Sequence, residues 1–354
     1  MKKRKSKSQP HNQQAKKIKP SCHFLDDDTL CHTFSFLSPE FILTVLMKVS
    51  KGWRLVAQQV PIELSVGRTQ LQKMVGEGVN FNLVSLSTIS KDLLDLHSKV
   101  EFVLRLRKLS ITNPDMNDGH VSKICECDFE NLETLELVNN RRITSAACEM
   151  LANCEKRKNL TSLSFSFTKI GDLGVGCLCS SLLFTNMRHL DLQNVGLTEF
   201  GAVLIATSPT MKQLKELDLS RNGIGNSGIS AITNSSMLSN LEMLWLSNTG
   251  LDDEGVKTFG NSFFYKMKLI DLEMNNLSVK GAIELAEKFP NILMLDWRLS
   301  FGVGVHLSLQ KKSDKEYVSK ALYYLKLGAF EDDESSFQQA SELVMELEER
   351  MATR

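Results

Sequence analysis

Residues 214–224 read Leu214-Lys215-Glu216-Leu217-Asp218-Leu219-Ser220-Arg221-Asn222-Gly223-Ile224, and Gly228 follows four residues later. Counted from Leu214 as position 1, apolar side chains fall at positions 1, 4, 6 and 11, with Asn at 9 and Gly at 15. The phrase occurs earlier as Leu160, Leu163, Phe165, Thr168, Ile170, Gly174 and as Met187, Leu190, Leu192, Val195, Leu197, Gly201. It follows as Leu241, Leu244, Leu246, Thr249, Leu251, Gly255 and as Met267, Ile270, Leu272, Asn275, Leu277, Gly281. A further copy starts at Leu132 (Leu135, Leu137, Asn140), a looser one at Leu106 (Leu109, Ile111) and a decayed one at Ile292 (Leu295, Trp297), so the period is 25 to 28 residues.

Each phrase has a direct physical reading. Alternation in Lys215-Glu216-Leu217-Asp218-Leu219 predicts a short strand with one face buried and one wet. At position 9 an Asn can satisfy backbone groups that no ladder reaches, and Asn140, Asn222 and Asn275 stand there. The second half of a repeat, such as Gly228-Ile229-Ser230-Ala231-Ile232, has helical spacing. One repeat cannot bury its own apolar face, so neighbours must stack. A fixed period of this kind is the signature of a leucine-rich-repeat solenoid. The expected fold class is α/β: a curved parallel sheet with helices on the convex side, over residues 106–304.

Outside the repeats the composition changes. The first twenty residues hold eight of the 42 Lys and Arg and no acid, leaving 34 bases against 42 acids in the remainder. Residues 1–20 are therefore expected to form a disordered basic tail. Its clusters Lys2–Lys5 and Lys16–Lys19 resemble a bipartite nuclear import signal, the other reading being a solubilising tail. No apolar stretch follows the basic start and no run of about 18 apolar residues occurs, which predicts a soluble cytoplasmic or nuclear protein without membrane association. Residues 61–105 read as a linker with degenerate first repeats. Residues 305–354 read as helices capping the last coil, with an acidic stretch Glu331-Asp332-Asp333-Glu334.

Residues 21–60 read as a compact helical unit. Asp26, Asp27 and Asp28 make an acidic first turn, Leu30, Phe34 and Leu37 share one helical stripe, and Ser38 with Pro39 opens a second helix. The run "Leu-x-x-x-x-Leu-x-x-x-Phe-Ser-Phe-Leu-Ser-Pro-Glu" from Leu25 to Glu40, closing in Val49-Ser50-Lys51-Gly52-Trp53-Arg54, resembles an F-box. Followed by the repeats, it is similar to the F-box/leucine-rich-repeat family of substrate receptors in Skp-cullin-F-box ubiquitin ligases. Asp26 departs from the Pro usual in that motif, and Thr29 and Thr33 stand where aliphatic residues are usual. The resemblance covers residues 24 to about 300. It implies a three-helix unit that binds a Skp-type adaptor, and through it a cullin-RING ligase, using Leu25, Leu30, Phe34, Leu37 and Pro39. A helical cap for the solenoid is the alternative reading of the same segment.

No enzyme is legible in the chain. It has no phosphate-binding Gly loop, no zinc-protease helix and no telling set of Ser, His and Asp. Cys125 with Cys127 and Cys177 with Cys179 have the wrong spacing for a zinc knuckle, so neither metal nor cofactor is expected. An acidic remainder argues against nucleic acid. The expected function is non-catalytic capture of a target protein on the concave face. Two alternatives remain: a plain interaction scaffold, and a small-GTPase regulator of the leucine-rich kind. Position 5 runs Ser110, Glu136, Ser164, Asp191, Asp218, Trp245, Asp271, Asp296, a mostly acidic column broken by Trp245. With Met243, Leu269 and Met294 at position 3 of neighbouring strands, Trp245 predicts an apolar target patch rimmed by Asp218, Asp271 and Glu273, the other reading being that the carboxy-terminal helices fold back and cover it.

Overall fold

The computed structural model describes residues 106–289, the strand segments 62–66, 83–88 and 293–295, and the single positions Ser35, Val303, Gly304, Ala321, Val344 and Met345. The chain divides into two units, Met1–Val60 and Pro61–Arg354, and the architecture below is that of the second. The basic tail, the F-box-like segment with Leu25, Leu30, Phe34, Leu37 and Pro39, and nearly all of 305–354 lie outside the described residues.

Ten strands form one all-parallel sheet in strict chain order. They are β1 (Ile62–Val66), β2 (Leu83–Thr88), β3 (Lys108–Ile111), β4 (Thr134–Glu136), β5 (Ser162–Ser164), β6 (His189–Asp191), β7 (Glu216–Asp218), β8 (Met243–Trp245), β9 (Leu269–Asp271) and β10 (Leu293–Leu295). Helices return the chain between strands: α1 (Asp118–Glu126), α2 (Ser145–Ala152), α3 (Gly171–Ser180), α4 (Glu199–Thr207), α5 (Gly225–Thr233), α6 (Asp253–Val256) and α7 (Val279–Lys288). One strand and one helix per repeat is the expected arrangement. The sheet also begins earlier than the first legible phrase, with β1 and β2 ahead of Leu106.

Register makes the core. Position 4 pairs along the sheet as Leu109, Leu135, Leu163, Leu190, Leu217, Leu244 and Ile270, all buried. Position 6 does the same through Ile111, Leu137, Phe165, Leu192, Leu219, Leu246 and Leu272, and the position 1 residues from Leu106 to Met267 join them. The result is a continuous apolar spine that no single repeat could build. β10 departs from the frame drawn on Ile292. Leu293 pairs with Leu269, Met294 with Ile270 and Leu295 with Asp271, so Met294 occupies the position 4 row and not position 3.

Asn at position 9 performs the backbone work expected of it. Asn222 Oδ1 accepts from the amides of Val195, Gly196 and Leu197 at 3.0–3.1 Å, while Nδ2 donates to Leu192 O at 2.7 Å and Leu219 O at 3.0 Å. Asn275 bridges Thr249 N, Leu251 N and Leu246 O in the same way. One position earlier the backbone is left-handed in six consecutive repeats, at Asn139, Phe167, Asn194, Arg221, Asn248 and Met274, with φ between 52° and 60°. That conformation turns the chain out of the strand, and only Asn adopts it with little penalty.

The glycine at position 15 is also accounted for. It opens the helix where the preceding repeat presses in: a Cβ on Gly201 would overlap both Leu197 and the Asp172 carboxylate. Asp172 is held there because it accepts from Thr198 N at 2.9 Å and Thr198 Oγ at 2.6 Å, tying α3 to the N-cap of α4. Asp118 with Thr144 and Asp253 with Ser278 repeat this clamp. Three residues before position 1 the repeats bury Phe129, Phe184, Met211, Leu238 and Phe264, and in that row Arg157 is the one charged side chain. Fully buried Arg157 donates to Phe129 O at 2.7 Å, Ile124 O at 2.7 Å and Cys127 O at 2.5 Å, with its guanidinium 5.3 Å from the Phe129 ring centroid. At Ile124 and Cys127 it thereby satisfies carbonyls at the C-terminal end of α1, which the helix itself leaves without partners, and at Phe129 it adds to the bond from Leu132 N.

Candidate functional site

Residues at positions 3 and 5 stand on the face of the sheet opposite the spine, because side chains alternate along a strand. Parallel register sets them in rows. Position 5 reads Ser164, Asp191, Asp218, Trp245, Asp271 across β5 to β9, and position 3 reads Ser162, His189, Glu216, Met243, Leu269. Over β4 to β8 this face sinks into an open depression of about 480 Å³, bounded by Glu136 at one end and Trp245 at the other, with His189, Asp191, Glu216 and Asp218 between them.

Of the residues nominated from sequence, Trp245 and Asp218 line this depression, and both are half-buried. Met243, Leu269 and Asp271 lie on the same face in the adjoining rows, half-buried and beyond the Trp245 wall. Glu273 follows at the end of β9. Met294 is the exception. Its backbone register pairs it with Ile270, one position along from the row of Met243 and Leu269.

The acids on this face are not free charges waiting for a ligand. Asp191 Oδ1 accepts from Gln193 N at 3.1 Å, Asp218 Oδ1 from Ser220 N at 2.8 Å, and Asp271 Oδ1 from Glu273 N at 2.9 Å. An Asp at position 5 thus caps the amide two residues on, where the strand ends. Ser164 Oγ and Ser166 Oγ both donate to the second oxygen of Asp191, the former at 2.7 Å. Burial pushes the Asp218 carboxyl up from its ordinary value, and the nearby Asp191 charge adds to this, while the bonds from Ser220 oppose it. Trp245 replaces a capping Asp in this column, which makes it a departure from the structural pattern.

Two features went unread in the sequence because they depend on register. His189 Nδ1 lies 2.9 Å from Glu216 Oε2, joining β6 and β7 on the floor of the depression. Just before β8, Glu242 is held between Lys215 at 3.1 Å and Lys268 at 2.6 Å, and their hydrogen bonds bring its pKa down to about 2. Neither arrangement supplies a nucleophile. The buried thiols are no better placed, since desolvation raises Cys125 and Cys179 to about 12 and Cys127 to about 11. Among the described residues no cluster of His, Cys, Asp or Glu could hold a metal ion, and no helix is long and apolar enough to cross a membrane.

Comparison with known proteins agrees with the geometry. A family model described as "Leucine Rich repeat" matches residues 157–179 and 211–232. The repeats are leucine-rich repeats. Over 126 residues the chain is 33% identical to the NACHT, LRR and PYD domains-containing protein 3 of Bos taurus, and over 123 residues it is 32% identical to that of Homo sapiens. These alignments take in 33% of this chain and 12% of either relative, so the chain matches only a small part of their length. A crystal structure of a Bacteroides fragilis protein overlaps 69% of this chain and 76% of its own, with a TM-score of 0.46 and 15% identity.

Proposed function

We propose that the chain is a non-catalytic protein-interaction scaffold, which captures an extended segment of a partner on the sheet face opposite the apolar spine of its leucine-rich repeats. The observation that carries this reading is Trp245, a half-buried aromatic ring at the wall of an acid-lined depression, where its neighbours in the column are capping acids. Such a ring is a suitable anchor because it loses little conformational freedom on desolvation. Acids around it favour a segment carrying Lys or Arg, mainly through faster encounter. A peptide library selected on the full chain should yield binders with a basic residue beside an apolar one. Trp245→Ala should lose them without lowering the melting temperature. Selected peptides that bind the Ala variant equally well would refute the assignment.

A second reading rests on the segment from Phe24 to Ala57, whose residues resemble an F-box. In it the protein is a substrate receptor, joined through Leu25, Leu30, Phe34, Leu37 and Pro39 to a Skp-type adaptor and a cullin-RING ligase, in the cytoplasm or nucleus. The chemistry would belong to that assembly, with this chain supplying proximity. Purified adaptor is the test. Binding by the intact chain that is lost on changing Leu30 and Phe34 to Ala supports the receptor, and no binding by the intact chain leaves the scaffold alone.

A further inference from the structure

The helix layer carries an apolar surface that the repeat does not require. At position 14 the sequence runs Ser145, Leu173, Phe200, Ser227, Glu254, Lys280, so two adjacent repeats place a large apolar side chain where the others place polar ones. Leu173 is 78% exposed and Phe200 is 68% exposed, among the most exposed large apolar residues described. One turn further along α4, Val203 and Leu204 add to the surface, where α5 offers Ser230 and Ala231. Between the two helices the floor is Gly176, with Leu204 Cδ1 3.5 Å from where its Cβ would stand. Neighbouring helices run about 8–10 Å apart, so these side chains form one furrow and not scattered exposures.

Size and charge decide what fits. The four side chains leave on the order of 400 Å² of apolar surface open, a patch as large as the largest on an ordinary monomer and often functional. A stable dimer needs about 800 Å² from each partner, so a second copy is poorly matched in area. It would also set like charges against each other. The charged side chains of α2, α3 and α4 are Glu149, Asp172 and Glu199, with no Lys or Arg. Asp172 is engaged by Thr198, while Glu149 on α2 and Glu199 at the start of α4 are exposed on the two sides of this helix pair. An anionic membrane surface is disfavoured for the same reason. A single α-helix, about 10–12 Å across, matches the width of a furrow between two helices.

We propose that α3 and α4 form a docking furrow for an amphipathic helix of a partner protein, which covers Leu173, Phe200, Val203 and Leu204 with its apolar stripe and meets Glu149 and Glu199 with Lys or Arg on its flanks. Recognition is of the helix-in-groove kind, with anchors at i, i+3, i+4 and i+7. This surface is separate from the sheet face and stands whether or not the scaffold reading does.

The test uses the full chain and a fluorescent 18-residue helical peptide with Leu at those anchor positions and Lys on the flanks. Leu173→Ser and Phe200→Ser introduce the residue that Ser227 already provides at this position, so the repeat is expected to stay folded, which circular dichroism checks. Binding by the native chain, weakened tenfold or more by either substitution and lost when Glu replaces the peptide's Lys, supports the furrow. No binding, or binding indifferent to the substitutions or to the peptide's charge, overturns it. So does a dimer on light scattering that the substitutions dissociate, or recruitment to phosphatidylserine vesicles that they abolish, since the furrow would then serve a second copy or a lipid surface.

Discussion

Replacing Asn222 by Val tests whether the repeat is held by its polar core as well as by its leucines. Val is a fair replacement because Val195 occupies position 9 one repeat earlier. The substitution removes three accepted and two donated hydrogen bonds of 2.7–3.1 Å, made to Val195 N, Gly196 N, Leu197 N, Leu192 O and Leu219 O. Gly196 is exposed enough to hydrate its amide, which leaves four buried backbone groups without this partner. At about 1 kcal/mol or a little more for each stranded group the loss is roughly 4–6 kcal/mol, and burial of the Val side chain returns about 1–2 kcal/mol. The expected net loss is about 2–5 kcal/mol, a large share of the 5–15 kcal/mol of an ordinary domain. Because a solenoid opens through neighbouring repeats, the informative assay is local. Amide exchange at Val195 and Leu197 should accelerate about a hundredfold or more, while exchange around Leu135 changes little, and the urea midpoint should fall. A loss under about 1 kcal/mol with unchanged exchange would show that water replaces the Asn without penalty, and the position 9 argument would fail.

Other perturbations have defined signs. Arg157→Met strands the carbonyls of Ile124 and Cys127, while Phe129 O keeps its bond from Leu132 N; offset in part by relief of a buried charge, the change should cost about 2 kcal/mol in urea unfolding. Arg221→Asn keeps the left-handed backbone at a residue type that tolerates it, and should raise stability by about 0.5–1 kcal/mol in the same assay. Asp218 has a folded pKa above its unfolded value near 3.8, so its contribution to stability falls as pH rises through the window between them. Asp218→Asn should therefore be neutral or stabilising at pH 7, and melting temperatures across pH 3–7 should show a smaller decline than in the native chain. Glu242 has the opposite sign: its pKa of about 2 gives stability that is present above about pH 4.5 and lost on acidification toward 2, which Glu242→Gln should remove from the pH profile.

The fold was legible wherever a side chain repeats for a backbone reason. Leu217, Asn222 and Gly228 recur because strand alternation, turn satisfaction and helix clearance each constrain one position, and six registers, from β3 to β9, follow from reading them. Legibility failed where a residue's neighbours could not decide between frames. Ile292-Leu293-Met294-Leu295 is a continuous apolar run, so alternation offers no choice of face, and the frame drawn on Ile292 is off by one from the pairing of Met294 with Ile270. β1 and β2 lack the position 9 and position 15 residues, so residues 61–105 read only as a linker with degenerate first repeats and the strands there have no legible frame, although Ile62-Glu63-Leu64-Ser65-Val66 alternates as a strand should. The site was half legible. Trp245 announces itself by breaking a column, whereas the pairing of His189 with Glu216 and the clasp of Ser164 and Ser166 on Asp191 exist only once strands 25 or more residues apart are set side by side.

Reading the acids correctly changes what the sheet face can do. If Asp191, Asp218 and Asp271 were free carboxylates, the face would be a strong electrostatic trap for any basic chain, and selectivity would be poor. Their bonds to Gln193 N, Ser220 N and Glu273 N spend part of that charge on ending the strands. Asp218 in particular is desolvated enough that ionisation is already opposed. On the scaffold reading proposed above, a partner would gain its affinity from shape and from the Trp245 ring, with the acids setting approach and orientation. Replacing the acids singly should then slow association and flatten its salt dependence, while replacing Trp245 should speed dissociation. A Trp245→Ala variant that altered only the association rate would reverse that division of labour, and with it the assignment of the anchor.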